Sequence, residues 1–370
     1  MVFIERTVLE NVCAGIFTAL GIPEDEAADS ARILVAADAR GIQSHGVARI
    51  KRYADGIRLG IIRGGVKPRV LHETPVSLVL DAEGAMGLAL GKHSMETVIA
   101  MAKKNGFGVC SIRNSNHFGI AGFYAEMPAR QDMIGIAMTN TAALGVPTFA
   151  RKAMFGTNPL AFAAPGLDGK MFSLDMATTT VTRGKVEVYA REGKRLPPGW
   201  AVDTRGLGTG DPAGLLEDML YQRGGGLLPL GGEGEDFGGH KGYGLAVMVD
   251  ILTALCSGGV FGGAVRDSEQ SSARVCHFFM ALRIDLFRPP EDFKRDMSRM
   301  LGELESLKPA EGAQRVYYAG LKEQEAEAES ARRGVPLAEE VWGTLKQTAE
   351  ELGVLAPETK TTGQVKFSGK

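Results

Sequence analysis

No stretch of this 370-residue chain approaches the roughly 18 consecutive apolar residues that a membrane-spanning helix needs. Cysteine is scarce and scattered: Cys13, Cys110, Cys256 and Cys276 form no CxxC pair, which argues against a disulfide framework and a thiolate zinc site. Basic blocks are missing too, and a formal net charge of −2 gives no footing for nucleic acid or an anionic membrane surface as a partner. The opening residues, Met-Val-Phe-Ile-Glu-Arg-Thr, lack the basic-then-apolar order of a secretory leader, so a reducing, cytoplasmic setting is expected. Neither a Walker loop nor H-E-x-x-H is present. Gly208-Thr-Gly210-Asp-Pro-Ala213 has the letters of a dinucleotide fingerprint but no strand before it, and Pro212 falls where the turn should enter its helix. Any nucleotide is therefore held without the common motifs.

What the chain does have is a core-forming hydrophobic content of 44% and a regular alternation of patterns. Val8, Leu9, Val12, Cys13, Ile16, Phe17 and Leu20 recur at three and four, predicting a helix stopped by Gly21. Pro23 with Glu24-Asp25-Glu26 opens a second helix, running to about Arg40. Ser44 is the expected N-cap of a third, with His45, Arg49, Tyr53 and Ile57 on one face. Between 76 and 190, strands are expected at 76–80, 107–112, 133–138, 161–164 and 172–175, and helices at 91–105, 119–129 and 180–191. Glycine-rich residues 192–240 read as a functional loop region. Leu245–Cys256, apolar on almost every face, reads as a buried helix; a strand at 277–284 and three closing helices follow. The fold class is α/β with a mixed sheet. The expected division is a helical part, 1–75, packing with 285–352, an α/β part, 76–284, and a mobile tail, 353–370.

Two histidine loops carry the chemistry. Arg113-Asn114-Ser115-Asn116-His117-Phe118-Gly119 joins a strand end to a helix start, the usual place for ligands in α/β sheets. His117 serves equally as a proton-transfer group or as a hydrogen-bonded structural residue. Ser44-His45 reads as a plain cap until Arg49 is considered, whose guanidinium offers a planar fork to a carboxylate. A stripe of His45, Arg49 and Tyr53 would be an odd face to pack on apolar core. Asp175 ends a strand, Thr157 sits in a turn, and Lys241 opens a helix where phosphate could bind. No metal site is expected, since His45, His93, His117 and His240 lack ligand-pair spacing; His72, His93 and His277 are taken as structural.

Together these segments resemble the malate/L-lactate dehydrogenase family, which includes ureidoglycolate, sulfolactate and diketogulonate oxidoreductases and a cyclic-imine reductase. The stretches are Ser44-His45-Gly46-Val47 with Arg49 and Tyr53, Asn116–Gly119, Thr139-Asn140-Thr141, Gly156-Thr157-Asn158-Pro159, Asp175–Thr178, Arg183-Gly184-Lys185, Leu228–Gly232 and His240–Gly244, in family order over roughly 5–352. The resemblance implies a non-Rossmann NAD(P)-binding fold, a homodimer, and hydride transfer between an L-2-hydroxy acid and its 2-oxo acid. It implies catalytic roles for His117, His45 and Ser44, and substrate contacts from Arg49, Tyr53, Thr157, Arg183 and Gly184. Cofactor contacts, to NAD or NADP, are implied for Phe118, Gly119, Ile120, Ala121, Gly122, Thr141, Asp175, Met176, Ala177 and Lys241. Ala319-Gly320-Leu321 departs from the family's Pro-Gly-Glu turn, and Glu187 stands where the imine reductase has an aspartate behind its Ser-His pair. Reduction of a cyclic imine carboxylate, or dinucleotide binding without turnover, are the competing readings.

Overall fold

The structure is a computed structural model that describes residues 1–266 and 274–356. In chain order the elements are β1 (Val2–Ile4), α1 (Arg6–Ala19), α2 (Glu24–Ala39), α3 (Ile50–Arg58), β2 (Arg69–Glu73), β3 (Ser77–Asp81), α4 (Gly87–Asn105), β4 (Phe107–Ser115), α5 (Ala121–Ala129), β5 (Met133–Thr139), β6 (Leu160–Pro165), β7 (Met171–Met176) and α6 (Arg183–Arg191). Then come β8 (Ala201–Val202), α7 (Pro212–Leu220), β9 (Gly226–Leu227), α8 (Gly239–Asp250), β10 (Val275–Arg283), α9 (Pro290–Ser306), α10 (Leu321–Arg333), β11 (Val335–Leu337) and α11 (Glu339–Glu351).

By internal contacts the chain divides into Met1–Gly60 with the segment from Lys322 on, and Ile61–Leu321. The first unit is built from both ends of the sequence. β1 pairs antiparallel with β11, and Glu327 of α10 takes Arg6 at 3.0 Å and Arg40 at 3.1 Å. Its core holds Leu9, Ile16, Phe17, Ile33, Leu34 and Trp342, the periodic residues of α1, α2 and α11.

The second unit carries a seven-stranded sheet in the order β2-β3-β4-β10-β5-β6-β7. Only β3 and β4 run parallel; every other neighbour is antiparallel. That is a mixed sheet, unlike the parallel dinucleotide-binding sheet, and the α/β non-Rossmann class stands. Period-two alternation divides β10 between two layers. Phe279 and His277 face the aromatic rings of Phe118 and Tyr124, while Phe278 and Met280 pack with Met138, Val249 and Leu252.

Several boundaries differ from the sequence reading. The units part at 60/61 and 321/322 rather than at 75/76 and 284/285. α9 stays with the sheet because Ser298 receives the Leu167 N–H at 2.7 Å and Lys294 pairs with Asp132 at 3.1 Å. Most of the expected tail, from 357, lies outside the described residues, while Val354 N–H still donates to Ala349 O at 2.8 Å. The third helix starts at Ile50, after two short 3-10 turns, Gln43–His45 and Val47–Arg49, so Ser44 is not its N-cap. Within 192–240 an unexpected helix, α7, forms because Asp211 accepts the Ala213 and Gly214 N–H groups with Pro212 at the first helical position. The apolar helix at 245–256 is not wholly buried: beyond α8 it continues as a π-helical turn in which Ile251 and Leu255 are 45% and 54% exposed. Their outward face has no covering element among the described residues. No described helix is long and apolar enough to cross a membrane.

Candidate active site

In the first unit the Ser44-His45 turn is held from beneath. Asp38, near the end of α2 and 1% exposed, accepts the Val47 N–H on Oδ2 at 2.7 Å. A Cβ at residue 46 would lie 2.2 Å from that carboxyl group, so only glycine lets the turn close over Asp38. Above it, Ser44 Oγ stands 2.8 Å from His45 Nδ1, and Arg49 Nε donates to Ser44 O at 2.7 Å. Burial, helped by the Arg49 charge, pulls the half-buried His45 imidazole down to about 4. At neutral pH the ring is a base beside a cation. Tyr53 departs from the expected stripe: it is 2% exposed, with its ring edge on Phe17 at 6.1 Å, inside the helical core.

In the second unit His117 follows β4, whose last three residues extend beyond the expected strand end. Each polar neighbour has its own task. Asn114 Nδ2 donates to Asp81 at 2.9 Å, Ser115 Oγ lies 2.8 Å from His277 Nε2, and Asn116 Nδ2 donates to Gly84 O at 2.9 Å. His277, fully buried and pulled down to about 3 by burial, also meets Thr139 Oγ1 at 2.9 Å and stacks flat on Phe118 at 4.6 Å. It is structural, as expected, and it fixes the residue next to His117. Phe118 is 1% exposed, so its ring belongs to the core and leaves only backbone for a ligand. Gly119 turns at φ 81° and its N–H donates to His117 Nδ1 at 3.4 Å, while Ile120 and Ala121 are buried. Asp175 Oδ2 receives the Gly122 N–H at 2.7 Å, placing a carboxylate at the start of α5.

Three further segments meet where β6 and β7 pair. Thr157 N–H donates to Thr141 Oγ1 at 3.0 Å, and the two hydroxyls stand 3.4 Å apart. Thr178 N–H donates to Thr157 O at 2.8 Å, which brings in the Asp175-Met176-Ala177 strand end. Leu230 N–H then donates to Thr178 O at 2.8 Å, and the Leu230 backbone lies against Gly242, where a Cβ would sit 2.2 Å from Leu230 O. That loop thereby links the strand end to the first turns of α8, which present an exposed Lys241. Arg183 opens α6, with Gly184 beside it, and its Nε pairs with Glu187 at 2.9 Å. Arg183 also lines a cavity of about 270 Å³. Among the described residues no cluster of three or more metal-ligating side chains occurs.

The malate/L-lactate dehydrogenase family model matches residues 4–346. This chain belongs to that family. Malate dehydrogenase of Pyrococcus abyssi is 42% identical over 95% of each chain, and L-sulfolactate dehydrogenase of Methanocaldococcus jannaschii is 36% identical over 90% of this chain and 92% of its own. The crystal structure of malate dehydrogenase from Entamoeba histolytica superposes with a TM-score of 0.91 at 32% identity, covering 96% of this chain and 99% of that one. Relatives named as dehydrogenases make this an oxidoreductase of a family that uses nicotinamide cofactors.

Asp38, which holds the turn, drew no notice in the sequence. The available signal was Gly46 directly after Ser44-His45, a glycine in a position that needs close approach. Lys152 and Arg266, which share the Arg183 cavity, were missed as well, because nothing in their spacing relates them.

Proposed function

We propose that the protein is an NAD(P)-dependent dehydrogenase interconverting a small L-2-hydroxy acid of the malate or lactate type and its 2-oxo acid. The carrying observation is the Ser44-His45-Arg49 turn, in which a neutral imidazole and a guanidinium are tied to one carbonyl-hydroxyl pair. A bound nicotinamide supplies or accepts the hydride. Arg49 grips the substrate carboxylate and so fixes which face of the carbonyl carbon is presented. His45, neutral before substrate arrives, is in the form that takes the proton of the substrate hydroxyl during oxidation. A carboxylate on Arg49 offsets the charge that depresses His45, so the imidazolium needed for reduction becomes easier to form once substrate is seated. His117, held on the second unit, is the other proton-transfer candidate in this reading.

The donor set suits a nicotinamide dinucleotide without a glycine-rich phosphate loop. The Asp175 carboxylate suits ribose hydroxyls, Lys241 a phosphate, and the 118–122 backbone with Thr141 the remainder. Malate and sulfolactate, acted on by the relatives by name, are 2-hydroxy acids. A homodimer belongs to this reading, supported by the uncovered Ile251 and Leu255, and light scattering should give the mass of two chains.

The test is a screen of oxaloacetate, pyruvate and a cyclic imine acid with NADH and NADPH. We expect the 2-oxo acids to be reduced, His45→Ala and His117→Ala to lose about 10²–10⁴ in kcat, and Arg49→Ala mainly to raise KM. Full activity in both histidine variants, or turnover of the imine alone, would overturn the assignment.

A further inference from the structure

Three of the buried polar residues in the sheet unit have no task in proton transfer: Asn140, Asn158 and Asp250, which are 0%, 0% and 5% exposed. Buried polar groups persist where they are hydrogen-bonded, so their partners show what the cluster does. Asn158 uses both ends of its amide. Its Oδ1 accepts the Thr141 N–H at 3.2 Å, and its Nδ2 donates to Ala246 O, on α8, at 3.0 Å. Asn140, the residue before Thr141, accepts the Cys276 N–H at 2.7 Å and donates to Val260 O at 3.0 Å. The backbone at Thr141 is thus tied on one side to β10 and on the other to the helix that presents Lys241. Asn158 takes φ 33° to do this, a left-handed conformation that asparagine tolerates better than most residues.

Asp250 ends α8 and serves the same junction from the helix side. Its Oδ2 accepts the Gly262 N–H at 2.9 Å, while its buried Oδ1 has no hydrogen-bond partner among the described residues. Burial pushes this carboxyl up, and the Gly262 N–H with the side-chain amides of Asn140 and Asn158 pulls the other way. The helix then passes into its π-helical turn, where Ser111 Oγ on β4 donates to Leu252 O at 2.7 Å and to Thr253 O at 3.1 Å. Such π turns often mark functional places. Here the turn pins the end of α8 to the sheet.

We propose that Asn158, backed by Asp250, is a positioning residue for the nicotinamide dinucleotide: it ties the Thr141 strand end to α8, so that Thr141 and Lys241 are presented to one cofactor at a set spacing. This rests on the dehydrogenase reading given above, with its cofactor contacts at Thr141 and Lys241. A fully bonded polar network in a dry interior holds its members in one arrangement, which is what a spacing device needs. Neither Asn158 nor Asp250 touches the cofactor in this role, and the groups that move the proton are left alone.

The experiment titrates NADH and NADPH, followed by nicotinamide fluorescence without substrate, into wild type, Asn158→Gly and Asp250→Asn. Urea denaturation and steady-state reduction of the 2-oxo acid that wild type accepts run alongside. Glycine adopts φ 33° freely and removes both side-chain bonds, so the turn itself survives. Asp250→Asn keeps the shape and an acceptor for Gly262 and removes the buried charge. Asn158→Gly should weaken binding of the cofactor that wild type prefers about tenfold and raise its KM to match, with kcat at saturating cofactor and KM for the acid within about threefold of wild type. Asp250→Asn should weaken cofactor binding by about threefold or more, and it decides the matter if Asn158→Gly does not fold. Unchanged cofactor affinity in a variant whose urea midpoint has fallen would reduce the cluster to a purely structural one and overturn the proposal. A loss of kcat as large as the loss of affinity would overturn it too. If wild type binds neither nicotinamide, the dehydrogenase reading fails and takes this inference with it, whereas intact binding in both variants sinks the inference alone.

Discussion

Replacing Asp38 by asparagine should stabilise the protein by about 2–3 kcal/mol more at pH 8 than at pH 5. Burial pushes this carboxyl up from an ordinary aspartate's 3.8 to about 7, against the opposing Val47 hydrogen bond. The folded chain therefore holds a proton that the unfolded chain has already released. Stability from that proton is fully present below the unfolded value and is lost as pH rises through about 7. At about 1.4 kcal/mol per pH unit, the interval from pH 5 to 8 removes about 2–3 kcal/mol. Asparagine keeps an oxygen for the Val47 N–H and cannot ionise. Denaturation at the two pH values, followed through Trp342 in the first unit with Trp200 replaced by phenylalanine, gives the difference directly. A gap between wild type and Asp38→Asn that is the same at both pH values, or that closes as pH rises, would refute the argument.

The same turn sets an activity profile. With His45 lowered to about 4, oxidation kcat/KM should keep its basic form down to about pH 5, and Arg49→Ala should move that acid limb upward by removing the second cause of the depression; a pH series in both proteins measures it. At the Thr141-Thr157 pair, Gly156→Ala would put a Cβ 2.0 Å from Thr141 Oγ1, and urea denaturation should show a loss of about 1–3 kcal/mol with a raised KM for cofactor.

The sheet elements were readable because their residues obey one rule throughout. Each buried strand from β3 to β7 carries a short apolar run closed by a turn, and α4 ends at Gly106, φ 97°, where the sequence expected a stop. β2 escaped notice because four of its five residues face water and it presents no apolar face. The misplaced third helix has a different cause. Ser44 has the right chemistry for a cap, but the Val47 N–H goes to Asp38, nine residues upstream, and local propensity contains no trace of a partner at that distance. With α7 the signal was present and read backwards. Pro212 after Asp211 is the opening of a helix, and it is an obstacle only to a phosphate loop.

Site residues were legible as types and illegible as partners. His45, His117 and Arg49 stand out because polar groups in helix-opening turns need a reason, Thr157 because it sits in a turn before an apolar strand, and Asp175 because it ends one. What the sequence hides is division of labour inside each motif. In Asn114-Ser115-Asn116-His117-Phe118, the two amides hold Asp81 and Gly84, the serine holds His277, and the phenylalanine is clamped on the same imidazole. Four of five residues thus fix the backbone around His117 through bonds to other segments of the chain. Precision of this kind comes from tertiary hydrogen bonds of large sequence separation, 162 residues in the case of Ser115 and His277. A reading limited to neighbours along the chain finds the reactive group and must leave its supports to the fold.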